Sequence, residues 1–163
     1  MVSEVRDDTD RHWLAEAIEL SRKCPVSDSA FSVGAVLVIP EAGGPGRVVA
    51  TGYSRERDPH DHAEETALAK AARAAGSLAA AGLGGATIYS SLEPCLRRLS
   101  RPRSCAELIV AAGIRRVVLA WREPPVFVPG GGAEWLAGQG VTVAELAGLA
   151  QRARAVNAHL LPD

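Results

Sequence analysis

His62-Ala63-Glu64, followed about thirty residues later by Glu93-Pro94-Cys95 and then by Cys105, most constrains the fold of this chain. One imidazole and two thiolates can hold a zinc ion in a tetrahedral site with one open position. Three separate segments must then deliver their side chains to one point. Glu64 stands two residues beyond the histidine, where a proton carrier for a metal-activated water is needed. Nine residues separate the two cysteines, instead of the two of a Cys-x-x-Cys pair.

The rest of the pattern offers segments able to converge in this way. Residues 1–8 read as a flexible N-terminal tail, with Thr9 or Asp10 capping a first helix to about Arg22. Phe31 to Ile39 is nearly all apolar and reads as a buried strand. A Gly-rich turn leads to a returning strand at Arg47 to Tyr53. An alanine-rich helix runs from about His62 to Ala75, where Gly76 stops it. Further strands are expected at Ala86 to Ser91, Arg116 to Ala120 and Val141 to Ala144. Helices are expected at Cys105 to Ala112, near Ala133 to Ala137, and from Glu145 to Leu161. Alternation of this kind argues an α/β sandwich. Twenty residues between the last two strands, with a helix inside, favour a parallel crossover.

In this arrangement His62 and Cys105 each begin a helix, where free N–H groups favour a thiolate. Cys95 follows a strand, at the end where open α/β sheets place ligands. A closed site would need a fourth ligand, with His60 or Cys24 as candidates. His60 is better placed in the loop before the helix, and Cys24 reads as a buried filler. His12 and His159 have no partner motif. Glu64 could instead pair with Lys70 or Arg73, but neither lies at the favourable offset of four.

Composition narrows the partners. With 18 basic and 19 acidic residues and 4% aromatics, the chain lacks the basic surface and stacking platform of a nucleic-acid binder. No apolar run reaches the roughly 18 residues of a membrane span. Three cysteines and a polar, acidic start point to a reducing cytoplasmic location. Arg97, Arg98, Arg101 and Arg103 crowd the stretch between the cysteines. They suit a grip on a phosphate, with Arg101 and Arg103 closest to Cys105. They equally suit a solvated loop paired to Asp58, Asp61 or Glu107.

From Phe31 to Leu161 the chain resembles the cytidine-deaminase-like superfamily. It is most similar to the deaminase domain of the bacterial riboflavin-pathway deaminase/reductase. The resemblance rests on Val33-Gly34-Ala35-Val36-Leu37-Val38, His62-Ala63-Glu64, and the run from Ala86 to Cys95. It extends through Cys105-Ala106-Glu107-Leu108-Ile109, Ala112-Gly113-Ile114, Glu123-Pro124-Pro125, Gly130-Gly131-Gly132, Leu136, Gly140-Val141, Asn157 and Leu160-Leu161. Where that family has Asn-Pro this chain has Ala30 and Phe31. Its inter-cysteine loop reads Ser100-Arg101-Pro102-Arg103-Ser104, and no reductase domain is expected within these 163 residues.

The resemblance implies a three-layer α-β-α sandwich around a mixed five-stranded sheet, with residues 9–163 as one zinc-dependent deaminase domain. It implies a Zn2+ held by His62, Cys95 and Cys105, with Glu64 as the catalytic proton carrier. The substrate implied is a phosphorylated small molecule, a diaminopyrimidine ribosylamino phosphate. The assembly implied is a homo-oligomer, a dimer first. A cytosine, guanine, nucleoside or nucleotide substrate, and a non-catalytic zinc-binding structural module, are the alternatives.

Overall fold

The computed structural model describes residues 2–162. Helix α1 (Val2–Ser21) opens the chain. Strands β1 (Gly34–Ile39) and β2 (Arg47–Tyr53) form a hairpin, and α2 (Ala63–Ala75) follows. Then come β3 (Thr87–Ser90), α3 (Cys105–Ala111), β4 (Arg116–Leu119), α4 (Gly132–Gly138), β5 (Thr142–Glu145) and α5 (Ala150–Val156). The sheet order is β2-β1-β3-β4-β5. β1 runs antiparallel to both β2 and β3, while β3, β4 and β5 are parallel. This is the expected mixed five-stranded sheet with its last two strands parallel.

Side-chain alternation along the strands builds two cores, one on each face of the sheet. Val36, Val38, Tyr89 and Val118 point toward Leu14, Ala17 and Ile18 of α1 and Ala153 of α5. Leu37, Ile88 and Val117 point the other way, toward Leu68 and Ala71 of α2, Ile109 of α3 and Leu136 of α4. On α1 the buried positions Asp10, Leu14, Ala17, Ile18 and Ser21 recur at helical spacing and make one face. Two glycines set how closely the layers approach. A Cβ on Gly34 would lie 1.9 Å from Ala17 O of α1, and one on Gly52 would lie 2.3 Å from Ala63 O of α2. Any side chain at either position would push a helix off the hairpin.

Three boundaries differ from the sequence reading. Met1 lies outside the described residues. From Val2 onward the expected tail is helical, so Thr9 and Asp10 sit inside α1 and cap nothing. Phe31 to Val33 does not join β1. There the Ser32 amide donates to Asn157 Oδ1 (2.6 Å) and the Val33 amide to Ser54 Oγ (2.9 Å), so side chains take the place of a strand ladder. The closing helix is also shorter. Glu145 is held in β5 by its pairing with Leu119, and Ala147–Leu149 forms a 3-10 turn before α5 begins. Gly148 in that turn disfavours a continuous helix.

Asp10 has a structural task that periodicity alone did not show. Its carboxylate receives Arg116 Nη1 (2.8 Å) and Nη2 (2.6 Å) and the Tyr89 hydroxyl (2.8 Å). The bidentate pair and the hydroxyl tie α1 to β3 and β4 in a buried setting. Removing one partner of a buried pair leaves the other charge uncompensated, at a cost of about 3–5 kcal/mol. Asp10→Ala should therefore lower the unfolding free energy by roughly that amount in urea titration. A loss below about 1 kcal/mol would show that the network adds little.

Candidate active site

His62 is the N-cap of α2, with extended backbone at φ −95°, ψ 156°. Its own amide donates to Glu65 Oε1 at 2.7 Å, so the third residue of the helix fixes the histidine's entry. Cys105 is the first residue of α3. The helix starts at a reciprocal cap: Ser104 Oγ accepts from the Glu107 amide (3.2 Å) and Glu107 Oε1 accepts from the Ser104 amide (3.1 Å). Cys95 lies beyond the carboxyl end of β3. The Ala106 amide donates to Cys95 O (3.0 Å) and the Cys105 amide to Cys95 Sγ (3.3 Å), docking the start of α3 on that corner.

These contacts bring the three ligand-type side chains together. His62 Nδ1 lies 3.5 Å from each sulfur, and all three ligand atoms fall within 4.8 Å of one another. One imidazole nitrogen and two thiol sulfurs are a donor set that suits zinc. The hydrogen bond from Cys105 lowers the Cys95 thiol well below the ordinary range, toward the thiolate a metal needs, and the same contact, with burial, raises that of Cys105. Neither His60 nor Cys24 joins the cluster. The Cys24 thiol donates to Val33 O at 3.4 Å, and burial raises its pKa.

Glu64 is buried beside the cluster. Burial, and then the nearby Cys95 charge, raise its carboxyl above the usual range. Ser90 Oγ lies 2.7 Å from Glu64 Oε1 and 2.7 Å from Leu92 O. One hydroxyl proton serves one of these acceptors at a time. With the proton on the Leu92 bond, Ser90 accepts from a protonated Glu64; with it on the Glu64 bond, Ser90 stabilises the carboxylate. The arrangement suits a carboxyl that changes protonation state.

Cys95, His62 and Glu64 open into a cleft of about 500 Å³. One wall comes from the irregular segment at 26–33 and another from Glu123, Phe127 and Val128. Phe31 meets Phe127 edge-on at a centroid distance of 5.1 Å and Trp121 at 5.6 Å. The 26–33 wall is held by side chains. Arg55 donates to Pro25 O, Phe31 O and Ser32 Oγ, and Asn157 Nδ2 donates back to Ser32 O (3.0 Å).

Of the four arginines, the cleft takes Arg97 and Arg98 and not Arg101 and Arg103. Arg101 is engaged by Asp58 (3.5 Å), Asp61 (3.3 Å) and Glu65 (3.5 Å), which neutralise it. Arg103 is exposed. The Arg98 side chain is buried and donates to Glu65 Oε1 and His60 O, both at 2.8 Å. Arg97 is exposed on the cleft wall and forms no ion pair among the described residues. Distance along the chain from Cys105 does not show which arginines line the cleft and which, like Arg101, are paired to carboxylates.

A family model described as the cytidine and deoxycytidylate deaminase zinc-binding region matches residues 7–121. The chain belongs to this deaminase family. It is 41% identical over 133 residues to the diaminohydroxyphosphoribosylamino-pyrimidine deaminase of Schizosaccharomyces pombe, across 82% of this chain and 31% of that one. Among solved structures it is similar to the Rib2 deaminase of Aspergillus oryzae, with TM-score 0.77 and 25% identity over 90% of this chain and 89% of that one. The diaminohydroxyphosphoribosylaminopyrimidine deaminase/5-amino-6-(5-phosphoribosylamino)uracil reductase of Thermotoga maritima gives TM-score 0.70 and 31% identity, over 91% of this chain and 39% of that one. The chain spans a quarter to a third of the length of most curated relatives it matches. No helix among the described residues is long and apolar enough to cross a membrane.

Glu123, Phe127 and Asn157 lie beyond the residues that the family model matches, yet they build the cleft or brace its wall. Sequence reasoning quoted Glu123 and Asn157 only as points of resemblance and assigned them no task. Burial, followed by the charges of Cys95, Glu64 and Glu93, pushes the Glu123 carboxyl up to about 8. A carboxyl raised on folding holds its proton in the folded state after the unfolded chain has lost it. Its stabilising contribution is full below the unfolded value near 4.5 and is lost as pH rises toward 8. In the metal-free protein, Glu123→Gln should therefore gain stability relative to wild type between pH 5 and pH 8 in urea unfolding. Parallel pH profiles for the two proteins would contradict this.

Proposed function

We propose that the chain is a zinc-dependent hydrolytic deaminase of a diaminohydroxypyrimidine ribosylamino phosphate. The observation that carries this reading is the convergence of His62, Cys95 and Cys105 beside buried Glu64, with His62, Cys95 and Glu64 lining one cleft. The substrate class is supported by 41% identity to the Schizosaccharomyces pombe protein named for that reaction.

In this reading His62, Cys95 and Cys105 hold the metal. Zinc with such ligands supplies Lewis acidity that makes water nucleophilic near neutral pH. Glu64 takes a proton from the attacking water and passes it to the ring nitrogen beside the amine-bearing carbon. A second passage through Glu64 delivers a proton to the departing amine. The carbon exchanges its C–N bond for C=O, and ammonia leaves. Ser90 accepts from or donates to Glu64 as its protonation changes. The Phe31 and Phe127 wall gives the flat ring an apolar surface. Arg97, exposed and without a carboxylate among the described residues, is the cation available to the phosphate. The active protein is proposed to be a homo-oligomer, as closed symmetric dimers are the commonest soluble assembly.

Three measurements test this. Ammonia release from a panel of the ribosylamino phosphate, its dephosphorylated form, cytosine, guanine and nucleosides should favour the first compound. Glu64→Ala should retain bound zinc and lose about 10²–10⁴-fold in turnover, as expected for general acid–base catalysis. An active Glu64→Ala enzyme would exclude the proton-carrier role. Cys105→Ala should lose the metal, and zinc content unchanged by that substitution would overturn the ligand set.

A further inference from the structure

Glu93 is buried at the corner between β3 and Cys95, and the chemistry above gives it no task. Both of its carboxylate oxygens are engaged by backbone far along the chain. Oε1 accepts from the Glu123 amide at 3.0 Å and Oε2 from the Ala133 amide at 2.8 Å. These two amides bracket the irregular segment that carries Glu123, Phe127 and Val128 to the cleft. The segment lies directly on the same corner. A Cβ on Gly132 would sit 1.9 Å from Pro94 O, and one on Gly130 would sit 3.3 Å from Glu93 Oε1. The Glu93 amide in turn donates to Trp121 O at 2.8 Å, fixing where the segment leaves β4.

We infer that Glu93 is a positioning residue that pegs the 123–133 segment onto the Cys95 corner and so holds the Glu123 and Phe127 wall in its substrate-binding place. The two anchored amides leave that segment little freedom, although it has no sheet or helix of its own before α4. A buried carboxylate suits this role because each oxygen is an acceptor and both can serve at once. Glutamine keeps the shape but offers one acceptor in place of two. Releasing one end lowers the fraction of molecules with a formed wall, and apparent affinity falls by that fraction.

This inference deepens the proposed function, and the test separates the two. Wild type, Glu93→Gln and Glu93→Ala are compared in the full chain. Hydrogen exchange at the Glu123 and Ala133 amides should quicken at least about tenfold in Glu93→Ala, while amides of β1 and β3 keep their protection. With the diaminohydroxypyrimidine ribosylamino phosphate as substrate, Glu93→Gln should raise KM about ten- to a hundredfold. Its kcat should change less than about threefold and its zinc content not at all. Should Glu93→Ala fail to fold, exchange in Glu93→Gln supplies the same readout at the amide left without its oxygen. Unchanged exchange at both amides, or a loss of kcat or zinc with KM unaltered, would overturn the peg. A wild-type protein inactive on this compound would overturn the substrate assignment, and exchange alone would then decide the peg.

Discussion

The docking of the start of α3 on the corner after β3 is the contact on which the rest of the site depends. The Ala106 and Cys105 amides donate to the oxygen and sulfur of Cys95 and bring two cysteines ten positions apart to one point. The intervening loop must then fold back over α2. There Arg98 holds Glu65, the same carboxylate that fixes the amide of His62. Cysteine pair, loop and histidine are thus joined through two helix starts. Disturbing either cap would shift more than one ligand.

The sheet supports this geometry from below. β3 lies in the middle of the five strands, antiparallel to β1 and parallel to β4. The chain leaves it at the end where parallel strands open a crevice. Gly34 and Gly52 let α1 and α2 approach opposite faces of the hairpin closely, and the approach of α2 places His62 and Glu64 at that same end. The floor of the cleft therefore comes from regular elements with short, hydrogen-bonded caps. Its walls come from irregular segments held by Arg55, Asn157 and Glu93.

That division explains what was legible in the sequence. β2 follows the residues expected of it, and α2 differs only in that His62 caps it, because alternation, helix periodicity and Gly76 are local signals. The clustering of His62, Cys95 and Cys105 was expected from residue type and spacing, while the reciprocal Ser104 and Glu107 cap that starts α3 was not read from the sequence. The walls were not readable. Asn157 meets Ser32 across 125 positions, Glu93 meets Ala133 across 40, and no periodicity signals such pairs. The arrangement of the arginine loop was illegible for a related reason. Distance along the chain from Cys105 ranked Arg101 and Arg103 first, while the carboxylates of Asp58, Asp61 and Glu65 had already claimed Arg101.

X-ray absorption at the zinc edge of the purified protein tests the central claim most directly. The spectrum should show two sulfur neighbours at about 2.3 Å and two nitrogen or oxygen neighbours at about 2.0–2.1 Å, the latter being His62 and one exchangeable oxygen. Replacing either cysteine by serine should remove one sulfur from that shell. A shell closed by four protein ligands, or purified protein without stoichiometric zinc, would contradict it.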